Sequence, residues 1–254
     1  MSRSIKSSLN SSVSSYEILA DHGSLIGNIA WKSKLPKENH IFSIKTFREK
    51  SFMSIDLLID GSASLLDFQE DMAIEAYILA KSLEKCKIPL RITAYSSLDD
   101  YTVLTILKDF EEKANQDRIF SYYAQGWNRD GLAFKAFEKL IEDRKKENHL
   151  LLIMTDSNPR DLKPYITEKF AFNKAYDGKD GLEDTKKSLE TIKKKGTSVA
   201  GVVNTSSFDD KSEPIENSKY LYGRNFASID SVLNFSNIAK RLIKNEISRL
   251  NRKN

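Results

Sequence analysis

The chain has 254 residues, of which 40% are hydrophobic and 30% charged, and its 40 basic and 36 acidic side chains leave a net charge of +4. That length supplies one core of ordinary size, as one large domain or two small ones, and so small a charge excess calls for no nucleic-acid partner. No apolar run approaches the ~20 residues of a membrane span, the N-terminus lacks the apolar stretch of a signal peptide, and the lone cysteine, Cys86, cannot form an internal disulfide, so a cytoplasmic location is expected.

Eight of the first fifteen residues are serine, which predicts an unstructured tail over 1–15. Residues 16–50 carry short apolar clusters at Leu25–Ile29 and Ile41–Phe47, read as an edge hairpin or a lead-in segment beside the main domain, 51–254. From residue 53 the pattern sharpens. Met53–Asp60 reads as a strand, and Leu65, Phe68, Met72, Ala76, Leu79, Ala80 and Leu83 repeat at helical spacing. Ile88–Tyr95 and Tyr101–Leu107 read as two strands joined by a short loop, and Asp130–Arg144 as a second amphipathic helix. Leu150–Met154 is a continuous apolar run, Glu183–Lys195 a helix and Ser198–Val203 another strand. A stripe from Phe235 to Leu250 marks a C-terminal helix. Strands apolar along their whole length require a sheet covered on both faces. Alternating them with helices predicts a doubly wound α/β domain with a mostly parallel sheet and one antiparallel edge strand.

In such a sheet, ligands bind beyond the carboxyl ends of the strands. Two strands end there in aspartate, Asp60 and Asp156. Asp60 opens the run Asp60-Gly61-Ser62-Ala63-Ser64, in which one carboxylate and two hydroxyls at alternate positions face one point. This hard-oxygen set suits Mg²⁺, with Mn²⁺ as the alternative. Asp130, in the loop before the second helix, adds a third carboxylate. The same residues also suit plain architecture: Asp-Gly makes turns, Ser62 or Ser64 can cap a helix, and so can Asp130. His149 precedes a strand and shows no catalytic partner. The basic residues of the C-terminal helix read as a solvated face.

DGSAS at 60–64, NRDG at 128–131 before a helix, and LLLIMTD at 150–156 resemble the three loops of a von Willebrand factor A domain, which form its metal-ion-dependent adhesion site. The resemblance implies that Ser62 and Ser64 bind the metal directly, that Asp60 and Asp156 act largely through water, and that Asp130 takes the second-loop position usually held by threonine. Ser157 replaces the usual glycine after the third-loop aspartate. NRDG, TDSNPRD at 155–161 and the stretch 176–185 are further similar to the C-terminal domain of NorD-type nitric oxide reductase activation proteins. A weaker similarity is to the CobT-type cobaltochelatase subunit.

The resemblance implies a non-enzymatic, Mg²⁺-dependent interaction module with no catalytic residues. It would work with a MoxR-type AAA+ ATPase on a client metalloenzyme that offers an acidic side chain to the metal. Asn128, Arg129, Ser157 and Arg160 are the expected partner contacts. No GxxxxGK[ST] loop is present, so ATP hydrolysis by a P-loop mechanism is not expected. The competing reading is an Mg²⁺-dependent hydrolase acting on phosphoesters.

Overall fold

The computed structural model describes residues 2–3, 5, 15–34, 40–47, 53–99, 101–112, 116–141, 148–167, 170–206, 208–231 and 234–253. The lead-in forms a three-stranded antiparallel sheet from β1 (Ser15–Ala20), β2 (Ser24–Leu25) and β3 (Phe42–Phe47), in the order β1-β3-β2. Most of the stretch read as a tail lies outside the described residues. Ile5, within it, is fully buried in the main core.

The main domain follows as β4 (Met53–Asp60), α1 (Gln69–Lys85), β5 (Leu90–Leu98), β6 (Tyr101–Lys108), α2 (Asp130–Ile141), β7 (Asn148–Thr155), β8 (Asp161–Thr167), β9 (Phe170–Tyr176), α3 (Gly178–Lys194), β10 (Ser198–Asn204), α4 (Ser212–Tyr222), β11 (Phe226–Ile229) and α5 (Phe235–Lys253). Six of these strands form one sheet in the order β11-β10-β7-β4-β5-β6. All neighbours run parallel except the edge pair β5 and β6. The expected doubly wound α/β sheet with its antiparallel edge is therefore observed.

Every residue of β4 is buried, because both of its faces are covered. Ile55, Leu57 and Ile59 pack with α1 and α5, whereas Leu58 packs with Phe134 and Phe137 of α2, Leu189 of α3 and Leu221 of α4. Each such aliphatic side chain, fully withdrawn from water, contributes ~1.5–3 kcal/mol. Sequence order runs outward from β4 in one direction and from β7 in the other. The crevice between their carboxyl ends is thus the switch point where doubly wound sheets bind ligands.

Local expectations needed adjustment. The first helical stretch begins as a 3₁₀ segment, Ala63–Phe68, before α1. Helix α3 starts at Gly178, five residues earlier than the sequence pattern indicates, so Glu183 and Asp184 lie beyond its first turn. The hairpin β8–β9, helix α4 and strand β11 carry too short an apolar pattern to stand out in the sequence.

The amino ends of the central strands hold a buried polar cluster. Arg91 donates to both oxygens of Asp56, at 2.7 and 3.1 Å, and to the Leu140 carbonyl at 3.2 Å. His149 lies with Nε2 2.7 Å from Asp56 Oδ2 and Nδ1 2.7 Å from Ser54 Oγ. These are structural partners that the sequence did not indicate. Ser54 and Asp56 are fully buried, so this serine–histidine–aspartate set ties β4 to β7 with no route for a substrate.

Candidate functional site

At the opposite end, β4 delivers Asp60 and β7 delivers Thr155 and Asp156 to the crevice. The first loop is shaped by Asp60 itself: its Oδ1 accepts the Ser62 backbone N–H at 2.9 Å. That bond turns the chain so that Ser62 Oγ lies 3.0 Å from Ser64 Oγ, and Ser64 Oγ donates to Asp156 Oδ2 at 2.7 Å. Neither loop aspartate hangs free. Asp60 Oδ2 accepts the Thr155 hydroxyl at 2.9 Å and the Asn128 amide at 3.1 Å, while Asp156 Oδ1 accepts the Asn158 N–H at 2.9 Å. Ser62 stands at the start of the 3₁₀ segment without capping it through its side chain. Its hydroxyl therefore remains turned toward Ser64, and the capping alternative is not realised.

Asp130 opens α2 and is fully buried. Its Oδ1 accepts the Tyr95 hydroxyl at 2.8 Å, and its Oδ2 has no partner. The N-terminus of α2 is instead braced from α3. The Gly131 N–H donates to the Tyr176 hydroxyl at 2.9 Å, and Lys135 pairs with Asp184 at 2.8 Å. A Cβ at position 131 would collide with the Asp184 carboxylate. The segment 176–185 thus serves the second loop as a brace.

Three carboxylates are buried here, and their hydrogen-bond partners are all neutral. Burial opposes their ionisation, and Asp60 raises the other two. Asp60 is raised by desolvation despite four hydrogen bonds that lower it. Asp130 is raised well above the usual carboxylate range by desolvation and then by Asp60. Asp156 is pushed up to about 7 by the same two causes. A divalent cation among these oxygens would reverse the sign of the local field.

Among the described residues, no three acidic, histidine or cysteine side chains converge closely enough to hold a metal by themselves. A cation here would need the serine hydroxyls as well, in the mixed oxygen set that hard cations accept. The unpartnered Asp130 oxygen and the adjacent hydroxyls fit that requirement. Asp60, Ser62, Ser64, Asp130 and Asp156 are the residues that would hold it.

The four expected partner contacts separate. Asn128 is buried beneath Asp60, and its backbone pairs with Arg160. Ser157 is fully buried, with φ at +58°, the left-handed region where glycine is at ease, and its hydroxyl accepts from Ser218 at 3.0 Å. Arg129 is half-buried and paired with Asp161 at 2.6 Å. Only Arg160 of the four is exposed. Sequence reasoning missed Tyr95, Thr155 and Asn128 as supports of the carboxylates. Strand-end placement was the one available signal, and it marks Thr155 and Tyr95.

No protein-family model and no curated protein matches the sequence. Solved structures do resemble it. The pilus adhesin SpaC of Lactobacillus rhamnosus GG in its open conformation superposes with a TM-score of 0.58 at 10% identity, over 83% of this chain and 31% of SpaC. The vWF domain of the type V pili tip protein Mfa5 from Porphyromonas gingivalis gives 0.55 at 9% identity, over 79% of this chain and 95% of that domain. The conserved hypothetical protein BatB from Bacteroides thetaiotaomicron gives 0.51 at 13% identity, over 79% and 99%. The chain spans about a third of the length of SpaC. At such identities the likeness is one of fold, and that fold is von Willebrand factor A-like.

Proposed function

We propose that the chain is a protein-interaction module whose binding edge is organised by Mg²⁺ held at Asp60, Ser62, Ser64, Asp130 and Asp156. The observation that carries this reading is the group of three buried carboxylates with only neutral partners, one oxygen of Asp130 having none. A site built for structure alone would pair such acids with cations, whereas here burial is left to oppose their ionisation. The metal, when bound, would supply positive charge and a coordination position for an acidic side chain. Asp60, held by Ser62, Thr155 and Asn128, fixes the loop, and Tyr95 holds Asp130 beneath it.

Within this reading the partner is a MoxR-type AAA+ ATPase, and the pair acts in the cytoplasm on a client metalloenzyme that offers the acidic side chain. The NRDG, TDSNPRD and 176–185 stretches support the NorD-like assignment, and the bracing of the second loop by Tyr176 and Asp184 gives the last of them a physical role. No enzymatic activity is proposed. The nearest histidine in the sheet, His149, is buried at its other end, and Arg129, the cation beside the second loop, is committed to Asp161. Among the described residues no helix is long and apolar enough to cross a membrane.

The test is co-elution of the chain with a MoxR-type ATPase from the same genome, in Mg²⁺ and in EDTA. A complex that forms in Mg²⁺ and is lost both in EDTA and with Asp60→Ala is the expected result. A complex indifferent to both would remove the metal from the mechanism. Phosphoester turnover abolished by Asp156→Ala would favour the hydrolase instead.

A further inference from the structure

Beside the first loop lies an apolar flank that the metal site does not use. The segment 121–126 is fastened along residues 61–63: Gln125 N donates to the Gly61 carbonyl at 2.7 Å, and Ala63 N to the Gly126 carbonyl at 3.0 Å. With its backbone fixed there, this part of the chain sends two aromatic side chains outward. Phe120 is 52% exposed and Tyr123 59% exposed. Between them and Glu70, Ala73 and Ile74 of α1 runs a groove of about 410 Å³. Phe120 is steadied by Tyr77, their ring centres 5.1 Å apart. On the other side of Tyr123, a smaller recess of about 160 Å³ reaches Gly61 and the β5–β6 face at Leu98 and Val103. Ile74, Leu98 and Val103 are exposed as well. Contiguous apolar surface of this kind, set beside a candidate site, marks an interaction surface.

The charge around the flank restricts what can cover it. Glu70 lines the groove, and Asp67, Asp99 and Asp117 stand exposed close to it in the chain. The cations nearby are engaged: Arg118 bonds Glu112 at 3.0 Å and the Ile106 carbonyl at 2.8 Å, and Lys81 lies over the Tyr77 ring. Glu70 thus puts a carboxylate on the groove wall itself, beside exposed aromatic side chains. A carboxylate there disfavours nucleic acid and anionic lipid and attracts lysine and arginine, which also stack on aromatic faces.

We propose that this groove is the docking surface for a partner segment carrying an aromatic or long aliphatic side chain flanked by lysines or arginines. The apolar side chain enters between Ile74 and Tyr123, and the flanking cations meet Glu70 and its acidic neighbours. The inference rests on the reading of the adjacent loops as an interaction edge, and it adds a second contact that needs no metal.

The experiment uses a fluorescent, amidated peptide with a Phe-Leu pair between two lysines on each side, and matched peptides with glutamates or serines in their place. None of the lysine or serine peptides has a carboxylate to offer a metal, so their binding tests the groove separately. Anisotropy is measured in Mg²⁺ and in EDTA. The expected result is saturable binding of the lysine peptide in both, weakened about tenfold by Tyr123→Ser or by Glu70→Lys, the loss typical of one central aromatic or charged contact. Both side chains lie on the surface, so the variants keep the fold, and unchanged Mg²⁺ titration confirms that the site is intact. The proposal is overturned if none of the peptides binds, if the glutamate peptide binds as tightly, or if Tyr123→Ser leaves the affinity unchanged. It is equally overturned if dilution reveals a dimer that Tyr123→Ser dissolves, since the occupant is then a second copy. Failure of Mg²⁺ to bind, with the peptide still bound, would refute the metal reading alone.

Discussion

The two ends of the central sheet each bury aspartate, and they treat it in opposite ways. At the amino end Asp56 is clamped by two guanidinium nitrogens of Arg91 and flanked by His149. At the carboxyl end Asp60, Asp130 and Asp156 are just as deeply buried, yet hydroxyls, an amide and backbone N–H groups are their only hydrogen-bond partners. The first arrangement is complete in itself and holds strands together. The second has no cationic partner, and burial holds its acids toward their neutral form. Burial of an aspartate therefore says little about its role, while the charge of its partners says a great deal.

The sharpest way to break this contrast is to neutralise one aspartate at each end. Asp56→Asn strands the Arg91 charge in the core and is expected to cost ~3–5 kcal/mol in chemical denaturation. Asp130→Asn replaces an acid that burial and Asp60 hold toward its neutral form by a neutral isostere, so the metal-free protein is expected to lose less than ~1 kcal/mol. Equal losses would erase the distinction between the ends.

Acidity probes the same difference without mutation. Asp156 is raised to about 7 in the folded chain by burial and by Asp60, above its ordinary value when unfolded. The folded state thus keeps a proton that the unfolded state gives up. Without metal, this stability is full below the ordinary carboxylate range and is lost as the pH rises through about 7. Mg²⁺ competes with that proton, so its stabilisation should grow over the same interval. Melting curves in EDTA and in Mg²⁺ across that range would show the two trends crossing, and parallel curves would count against a shared site.

Smaller effects test the supports. Gly131→Ala must push Asp184 away from α2 and is expected to cost ~1–3 kcal/mol by overpacking, with weaker Mg²⁺ binding as its signature. Ser157→Gly relieves a left-handed backbone and loses the Ser218 bond. These oppose each other, so the net change in melting should stay within ~1 kcal/mol.

Much of this was legible in the sequence. Leu150–Met154 announces a buried strand because it is apolar without interruption, Met53–Asp60 because it closes on three apolar residues and an aspartate, and Asp60 and Asp156 mark the crevice. Asp60, both serines and Asp156 are joined by hydrogen bonds, while Asp130 is tied to Tyr95. Strand-end placement hinted at Thr155 and Tyr95, but the contacts themselves were not legible, since Asn128 reaches Asp60 across 68 positions and Thr155 across 95. For the same reason Ser54 and Asp56 gave no hint of His149. Hairpin β8–β9 escaped notice because its strands alternate polar and apolar residues too briefly, although its base holds Asp161 against Arg129.

The most direct test is calorimetric titration of Mg²⁺, with Mn²⁺ in parallel, into the wild-type chain and into Asp60→Ala. Saturable one-to-one binding near neutral pH, lost in the variant while its fold persists, is the result expected of the proposed Mg²⁺ site. A folded wild-type protein that takes up neither ion would contradict it, and the carboxyl end of the sheet would then have to be stable with its charges unpaired.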